Sequence, residues 1–261
     1  MNFLVIGLSV AFMLYMLATL SIVTRLFHPK GPNNTLVLSL ASIAILIHAG
    51  LLLSQSPLNF DLPTVVSLVS LTITITVTLV ALKFKANLLL PVIYCFTGLW
   101  QVVTIFLPPT EPIPLEVEKV ILLSHIGFAL ISYSILIIAT LFAFQVTYIN
   151  LKLKRKNLAA VAHLPPLMQV EKQLFKILTV GTAVLLISQI IGFVFLDGFL
   201  AKENAHKTVL SLLSLTLYSI ILWGHFSKGW RGHRVLVLML SASSLLTLAY
   251  FGSRLVKEYI L

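Results

Sequence analysis

Apolar residues fill eight long stretches of the chain, and short polar segments separate these stretches. A bilayer core about 30 Å thick is crossed by a helix of roughly 20 apolar residues. The pattern therefore predicts eight transmembrane helices, at about residues 2–24, 35–53, 64–82, 88–107, 119–149, 174–196, 207–226 and 235–256. The predicted fold is all-α, a polytopic membrane helix bundle that forms a single integral membrane domain over residues 1–261.

The third stretch alternates threonine with apolar residues, a pattern that by itself is typical of a strand. An open strand leaves backbone groups without hydrogen bonds in lipid, so a helix is predicted here as well. On that helix four hydroxyl side chains share one face and are expected to pack against neighbouring helices. These side chains are Ser67, Ser70, Thr74 and Thr78.

The composition excludes soluble and disordered classes of protein. Charged residues make up 10% of the chain, against about 25% in soluble domains. Hydrophobic residues make up 59%, and the mean hydropathy is +1.04. With a single cysteine, Cys95, the chain has no intrachain disulfide, CxxC pair or CxxCH haem attachment.

The net charge of +10 is distributed unevenly between the connecting segments. Most lysines and arginines follow spans 1, 3, 5 and 7, whereas nearly all the acidic residues lie on the other side. By the positive-inside rule, both termini are predicted outside, in the periplasm, of a multi-pass protein in the bacterial inner (cytoplasmic) membrane. The charge therefore indicates topology, and nucleic acid is not expected as a partner.

Ionisable side chains deep in the spans are few, and histidines stand out among them. No carboxylate, lysine or arginine lies well inside a span, and nucleophile-elbow, phosphate-loop and zinc-protease motifs are absent. We therefore expect that this protein is not an enzyme. Small-molecule transport has the serine and threonine faces as its only support.

His48 and His125 lie at matched depths, about 8 Å and 9 Å below the predicted outer surface at 1.5 Å per residue. Two neutral imidazoles at one depth are suited to ligate a haem iron as an axial pair. The alternative is that each histidine hydrogen-bonds a neighbouring helix. His206 begins span 7 outside and is a further candidate, although a solvated loop position explains it equally simply.

His225 ends span 7 on the predicted cytoplasmic side, within a segment that also contains Trp230, Arg231 and Arg234. One interpretation is an interfacial anchor of tryptophan and basic residues. The other is a haem site in which the two arginines pair with propionates, with Trp230 as a further contact. His28 and His163 lie in loops and are expected to be solvated.

Two segments resemble the cytochrome c assembly family, the CcsA-like haem-handling membrane proteins. One is Trp223-Gly224-His225 followed by Gly229-Trp230-Arg231-Gly232, and the other runs from His125 to Ser132-Tyr133. The resemblance covers about residues 35–255 and is closest to a short, HemX-like branch with eight spans. It implies that His125 is an external haem ligand and His225 a membrane haem ligand, with His48 loosely matching an early membrane histidine.

The chain departs from the family pattern at two points. The tryptophan-rich loop of the family should fall between spans 6 and 7, but Asp197–His206 contains no tryptophan, and no histidine follows the last span. The predicted function is haem binding and handling, related to cytochrome c biogenesis, with non-covalent b-type haem held by His48 and His125.

The alternative function is that of a non-enzymatic regulator or accessory subunit that acts without haem transfer. A basic patch follows span 5 and would recruit an acidic cytoplasmic or membrane protein partner, or anionic lipid. The patch consists of Lys152, Lys154, Arg155 and Lys156.

Overall fold

The computed structural model describes residues 3–25, 32–54, 61–83, 89–107, 120–156, 164–196 and 202–252. These residues form eight α-helices and contain no strand. The helices are α1 (Phe3–Val23), α2 (Asn34–Ser54), α3 (Leu62–Lys83), α4 (Leu90–Phe106), α5 (Val120–Lys154), α6 (Leu167–Phe195), α7 (Lys202–Lys228) and α8 (His233–Thr247). A short π-helical segment, Leu248–Gly252, follows α8 directly.

Seven of these helices are long and apolar enough to cross a membrane, and α4, with 17 residues, is shorter. The predicted all-α, multi-pass membrane fold is confirmed, including a helix at the threonine-rich third stretch. The side chains of Ser67, Ser70, Thr74 and Thr78 are all buried, as one packed helix face requires. The orientation of the termini stays a prediction.

Helices α5, α6 and α7 extend beyond their apolar stretches. Helix α5 continues to Lys154 rather than ending near residue 149, and α6 begins at Leu167, directly after Pro166 at its N-cap. Backbone hydrogen bonds along a helix do not depend on lipid, so polar residues can continue a helix past its apolar stretch, and Pro166 marks the start of α6.

The helices group into two compact units of four consecutive helices, α1–α4 and α5–α8. In the first unit α1 packs against α2 and α4, and α3 packs against the same two helices. In the second unit α5 packs against α6 and α8, and α7 packs against α6 and α8. The prediction of one domain over the whole chain stays a prediction.

Close contact between α1 and α4 depends on a glycine. A Cβ atom built on Gly98 would lie 2.8 Å from Cε of Met16 and 3.1 Å from Cβ of Tyr15. Small residues at such positions let helix backbones approach each other, which is the main route to tight packing in lipid. Gly50 in α2 is the opposite case, since a Cβ there meets no atom within 4 Å.

We expect Gly98→Val to lower the free energy of unfolding by about 1–3 kcal/mol, because the added methyl groups overpack the contact of α1 with α4. Thermal or denaturant unfolding of the purified protein in detergent measures the change. Gly50→Val is the matched control and should be close to neutral, because a Cβ there meets no atom within 4 Å and valine is no poorer a helix former than glycine. Equal effects of the two substitutions would contradict the predicted contact.

The second unit is tied together along the contact of α5 with α6. A Cβ on Gly181 would lie 2.9 Å from side-chain atoms of Leu136, and the hydroxyl of Ser132 donates to the Gly181 carbonyl at 3.1 Å. The close approach of the two helices brings the amino-terminal part of α5 against the carboxyl-terminal part of α6. His125 meets Ser188 there.

Candidate functional site

His48 lies in a buried polar cluster to which each helix of the first unit contributes one side chain. Its imidazole is 1% exposed. Nε2 lies 2.7 Å from the Ser67 hydroxyl and 3.1 Å from Nε2 of Gln101, and Nδ1 lies 3.5 Å from the Tyr15 hydroxyl. Both ring nitrogens therefore have hydrogen-bond partners.

Hydroxyl pairs between α3 and α4 lie in the same unit. The hydroxyl oxygens of Thr74 and Thr97 are 2.8 Å apart, and the Thr78 hydroxyl lies 2.9 Å from that of Tyr94. For His48 to ligate iron, its contacts with Ser67 and Gln101 would have to break, whereas the contacts match the alternative that this histidine hydrogen-bonds neighbouring helices. Its role as an iron ligand stays a prediction.

His125 on α5 is half-buried and is held in place by α6. Its Nδ1 lies 2.8 Å from the carbonyl oxygen of Ser188, to which it donates, and the Ser188 hydroxyl donates to the His125 carbonyl at 3.1 Å. A neutral imidazole with a proton on Nδ1 carries its lone pair on Nε2, and this hydrogen-bond arrangement is typical of metal-ligating histidines.

His225 lies near the carboxyl end of α7 and has an equivalent arrangement. Its Nδ1 lies 3.2 Å from the carbonyl oxygen of Trp230, which again places the lone pair on Nε2. The ring stacks on Phe175 of α6, with centroids 3.3 Å apart and an angle of 10° between the planes. The tautomers of both histidines are assigned from these partners.

His125 and His225 contact α6 at separate points. Ser188 holds the first and Phe175 the second, and these two positions of α6 are about 20 Å apart at 1.5 Å per residue. The second unit therefore presents two separate single-histidine positions. His48 belongs to the first unit, so its pairing with His125 stays a prediction.

The two arginines proposed as propionate contacts already have partners. Arg231 Nε lies 3.3 Å from Oε1 of Glu171, and the Arg234 guanidinium lies 5.0 Å from the centroid of the Trp230 ring. The Glu171 side chain is only 12% exposed, whereas that of Arg231 is 65% exposed. A propionate would therefore have to compete with Glu171 for Arg231.

A small crevice lies beside this ion pair. Its interior has no room for a water molecule, so it is not a small-molecule site. The lining residues are Ala143, Val146, Glu171, Leu174, Phe175, Gly232 and Val235. Across the parts of the chain that the structure describes, no three His, Cys, Asp or Glu side chains form a metal-binding group.

The two partners of the ion pair differ in burial, so removing one or the other should lower the unfolding free energy by different amounts. Arg231→Gln leaves a mostly buried carboxylate without its cation and should cost about 1–3 kcal/mol of unfolding free energy. Glu171→Gln leaves an exposed guanidinium that water solvates, and should cost less than about 1 kcal/mol. Denaturant unfolding of both variants and of the double variant checks the order, and a larger cost for Glu171→Gln would contradict it.

Several contacts of the histidines have no clear signal in the sequence. Several predicted positions lie outside the described residues. The Ser188 and Phe175 contacts could not be read from the chain, although Gln101 inside an apolar stretch indicates a buried polar contact. His206 is exposed on α7. Outside the described residues lie His28, His163, the proline-rich segment 108–114, residues 197–201 of the tryptophan-free loop and the residues from 253 onward.

The fold and the histidine positions define a multi-pass helical membrane protein. A family model described as cytochrome c assembly protein matches residues 56–261. The chain belongs to this family, as the resemblance predicted. It is 36% identical over 256 residues to the inner membrane protein YpjD of Escherichia coli strain K12, covering 96% of this chain and 97% of that protein.

A more distant relative matches half of the chain. An uncharacterized 28.8 kDa protein of Azospirillum brasilense is 31% identical over 141 residues, which is 52% of each chain. No solved structure matches the chain. With its long apolar helices and its full-length relative in Escherichia coli, the chain is a multi-pass protein of the inner membrane.

Proposed function

We propose that this protein binds and handles haem in the inner membrane without enzymatic activity, and that His125 is the principal iron ligand. The observation that carries the proposal is the hydrogen bond from His125 Nδ1 to the Ser188 carbonyl, at 2.8 Å. This bond fixes the orientation of the ring, as a backbone carbonyl does behind many metal-ligating histidines. Family membership supports the same function.

The donor chemistry of the second unit fits haem. The imidazoles of His125 and His225 each donate from Nδ1 to a backbone carbonyl, and the helices around them are apolar. With one cysteine, the chain has no CxxCH segment for covalent attachment, so the haem would be of b type. Bound haem supplies a redox-active iron, and the residues of this chain hold and orient it.

His48 fits the donor role less well than His125. Iron binding at its Nε2 would displace contacts with Ser67 and Gln101 that are 2.7 Å and 3.1 Å long. We therefore propose ligation by His125, with His225 on α7 as the second candidate ligand at its separate contact with α6.

The test is an absorption spectrum of the full-length protein, purified in detergent after expression in haem-replete cells. The oxidised and reduced protein should show a Soret band and a shift of that band on reduction, at up to one haem per histidine position. A colourless protein that also fails to take up added haemin would overturn the proposal.

A basic surface supports a second candidate function, that of an accessory subunit for an acidic partner. Lys154, Arg155 and Lys156 are exposed, and Lys152 lies 5.5 Å from the ring centroid of Tyr148. Replacing Lys152, Lys154, Arg155 and Lys156 with glutamine should remove proteins that co-purify with the wild-type chain. Unchanged co-purifying proteins would contradict this second function.

A further inference from the structure

We propose that the turn formed by residues 229–232 is a positioning device for His225, and that Trp230 is its positioning residue. The turn holds the imidazole in the tautomer that has its proton on Nδ1 and its lone pair on Nε2. The use of that lone pair for haem rests on the proposed function. The positioning itself is a property of the chain without haem.

The backbone of the turn folds back over the end of α7. Gly229 ends the helix in the left-handed region, at a φ of 65°, and its N–H donates to the His225 carbonyl at 3.0 Å. This is the αL motif that commonly ends a helix at glycine. The next N–H, of Trp230, donates to the Gly224 carbonyl at 3.0 Å. The chain reversal brings the Trp230 carbonyl to 3.2 Å from Nδ1 of His225.

The ring of Trp230 anchors the reversed chain. It packs directly on Gly224, where a Cβ atom would overlap the ring atoms Cε3 and Cδ2. A side chain larger than hydrogen at position 224 would therefore push the tryptophan, and with it the carbonyl that holds His225. This one contact explains why glycine stands at position 224 and tryptophan at position 230.

The imidazole is fixed in two independent ways. Stacking on Phe175 sets the plane of the ring, and the hydrogen bond to the Trp230 carbonyl sets its rotation within that plane. The far side of the turn is tethered to the unit as well. Arg231 pairs with Glu171, and a Cβ on Gly232 would lie 3.3 Å from Nδ2 of Asn150. Together these contacts determine which ring nitrogen carries the proton.

Anchoring at the membrane surface alone would not require this arrangement. An interfacial tryptophan needs an exposed ring near basic residues. Trp223 fits that description, since it is 54% exposed with Lys228 Nζ 4.6 Å from its ring centroid. Trp230 is half-buried on Gly224, and its main-chain oxygen faces an imidazole. The two tryptophans therefore have different roles.

The experiment is ¹⁵N spectroscopy of the histidine side chains in the haem-free, full-length protein in detergent at neutral to mildly alkaline pH. The assigned His225 signals should show a protonated Nδ1 and an unprotonated Nε2. In Gly224→Ala and Trp230→Ala, the ratio of the two tautomers should fall by roughly fivefold, the factor expected when one hydrogen bond is lost. Trp230→Phe keeps a ring on Gly224 and should retain the wild-type ratio.

Gly50→Ala is the matched control, because it adds the same methyl group to a helical glycine with no atom within 4 Å. It should leave the His225 signals unchanged. A wild-type spectrum with the proton on Nε2, or an unchanged ratio in folded Trp230→Ala, would overturn the proposal. If Gly224→Ala does not fold, the wild-type spectrum and the comparison of Trp230→Ala with Trp230→Phe still decide it.

The same samples separate this proposal from the proposed function. A locked tautomer in a protein that takes up no haem would support the positioning device and overturn haem binding. Haem uptake by a protein whose tautomer ratio does not change in Trp230→Ala would support haem binding and overturn the positioning device.

Discussion

His125→Ala is expected to lower the affinity of the His125 position for haem by at least about 100-fold, so that the Soret band of the purified protein falls to what the His225 position contributes. The substitution removes the proposed ligand itself, and even partners behind a metal ligand are worth about 10–100-fold. Titration of haemin into detergent-purified protein, followed by absorbance, measures the affinity. His206→Ala is the matched control, because this histidine is exposed on α7, and it should bind haem like the wild type.

Two other substitutions show how the ligands are divided. His225→Ala should leave the His125 position occupied and reduce the haem content where the second position is also filled. If instead His125→Ala binds haem with wild-type affinity, ligation by this residue is wrong, and the loss of the band in His48→Leu or His225→Ala would show which histidine replaces it.

His48→Leu is expected to lower the free energy of unfolding by about 2–4 kcal/mol. The substitution leaves the Ser67 hydroxyl, the Gln101 amide and the Tyr15 hydroxyl buried without their shared partner. Each unsatisfied buried group costs about 1–3 kcal/mol, whereas hydrogen bonds between membrane helices average nearer 0.6 kcal/mol. The expected total for the three groups lies between the totals that these two values give. Unfolding by denaturant in mixed micelles measures the change.

Ser39→Ala on the same helix is the control. Ser39 is exposed and bonds only its own helix, through the Leu36 carbonyl at 2.9 Å, so its loss should cost less than about 0.5 kcal/mol. A His48→Leu protein of wild-type stability that has lost its haem would contradict the structural role of His48. It would instead support the original prediction that this histidine is an iron ligand.

His48 differs from His125 and His225 in the kind of hydrogen-bond partner that holds its ring. His125 and His225 each donate from Nδ1 to a backbone carbonyl within their own unit. The partners of His48 are side chains from α1, α3 and α4, and they occupy both nitrogens. Equal depth in the membrane, by which His48 and His125 were paired from the sequence, does not reveal this difference.

The sequence by itself determined the class of fold and the family. The length of an apolar stretch is a local property that the bilayer thickness converts into a spanning helix, and this holds even for the threonine-rich stretch of α3. The histidine and tryptophan segments around His125 and His225 were sufficient to indicate the cytochrome c assembly family. The two ends of α5 and α6 that extend past the apolar stretches were less accessible, because polar residues continue a helix without changing the hydropathy pattern.

Only the tertiary structure decided what the histidines contact. The partners of His48 lie 33, 19 and 53 residues away along the chain, and Ser188 lies 63 residues from His125. In a soluble protein an apolar face would show which side of a helix packs inward. In this chain most spanning helices are apolar on every side, since lipid is as apolar as the protein interior. Their side-to-side packing is decided by small residues and by hydrogen bonds, and only the hydroxyl face of α3 was visible as a local pattern.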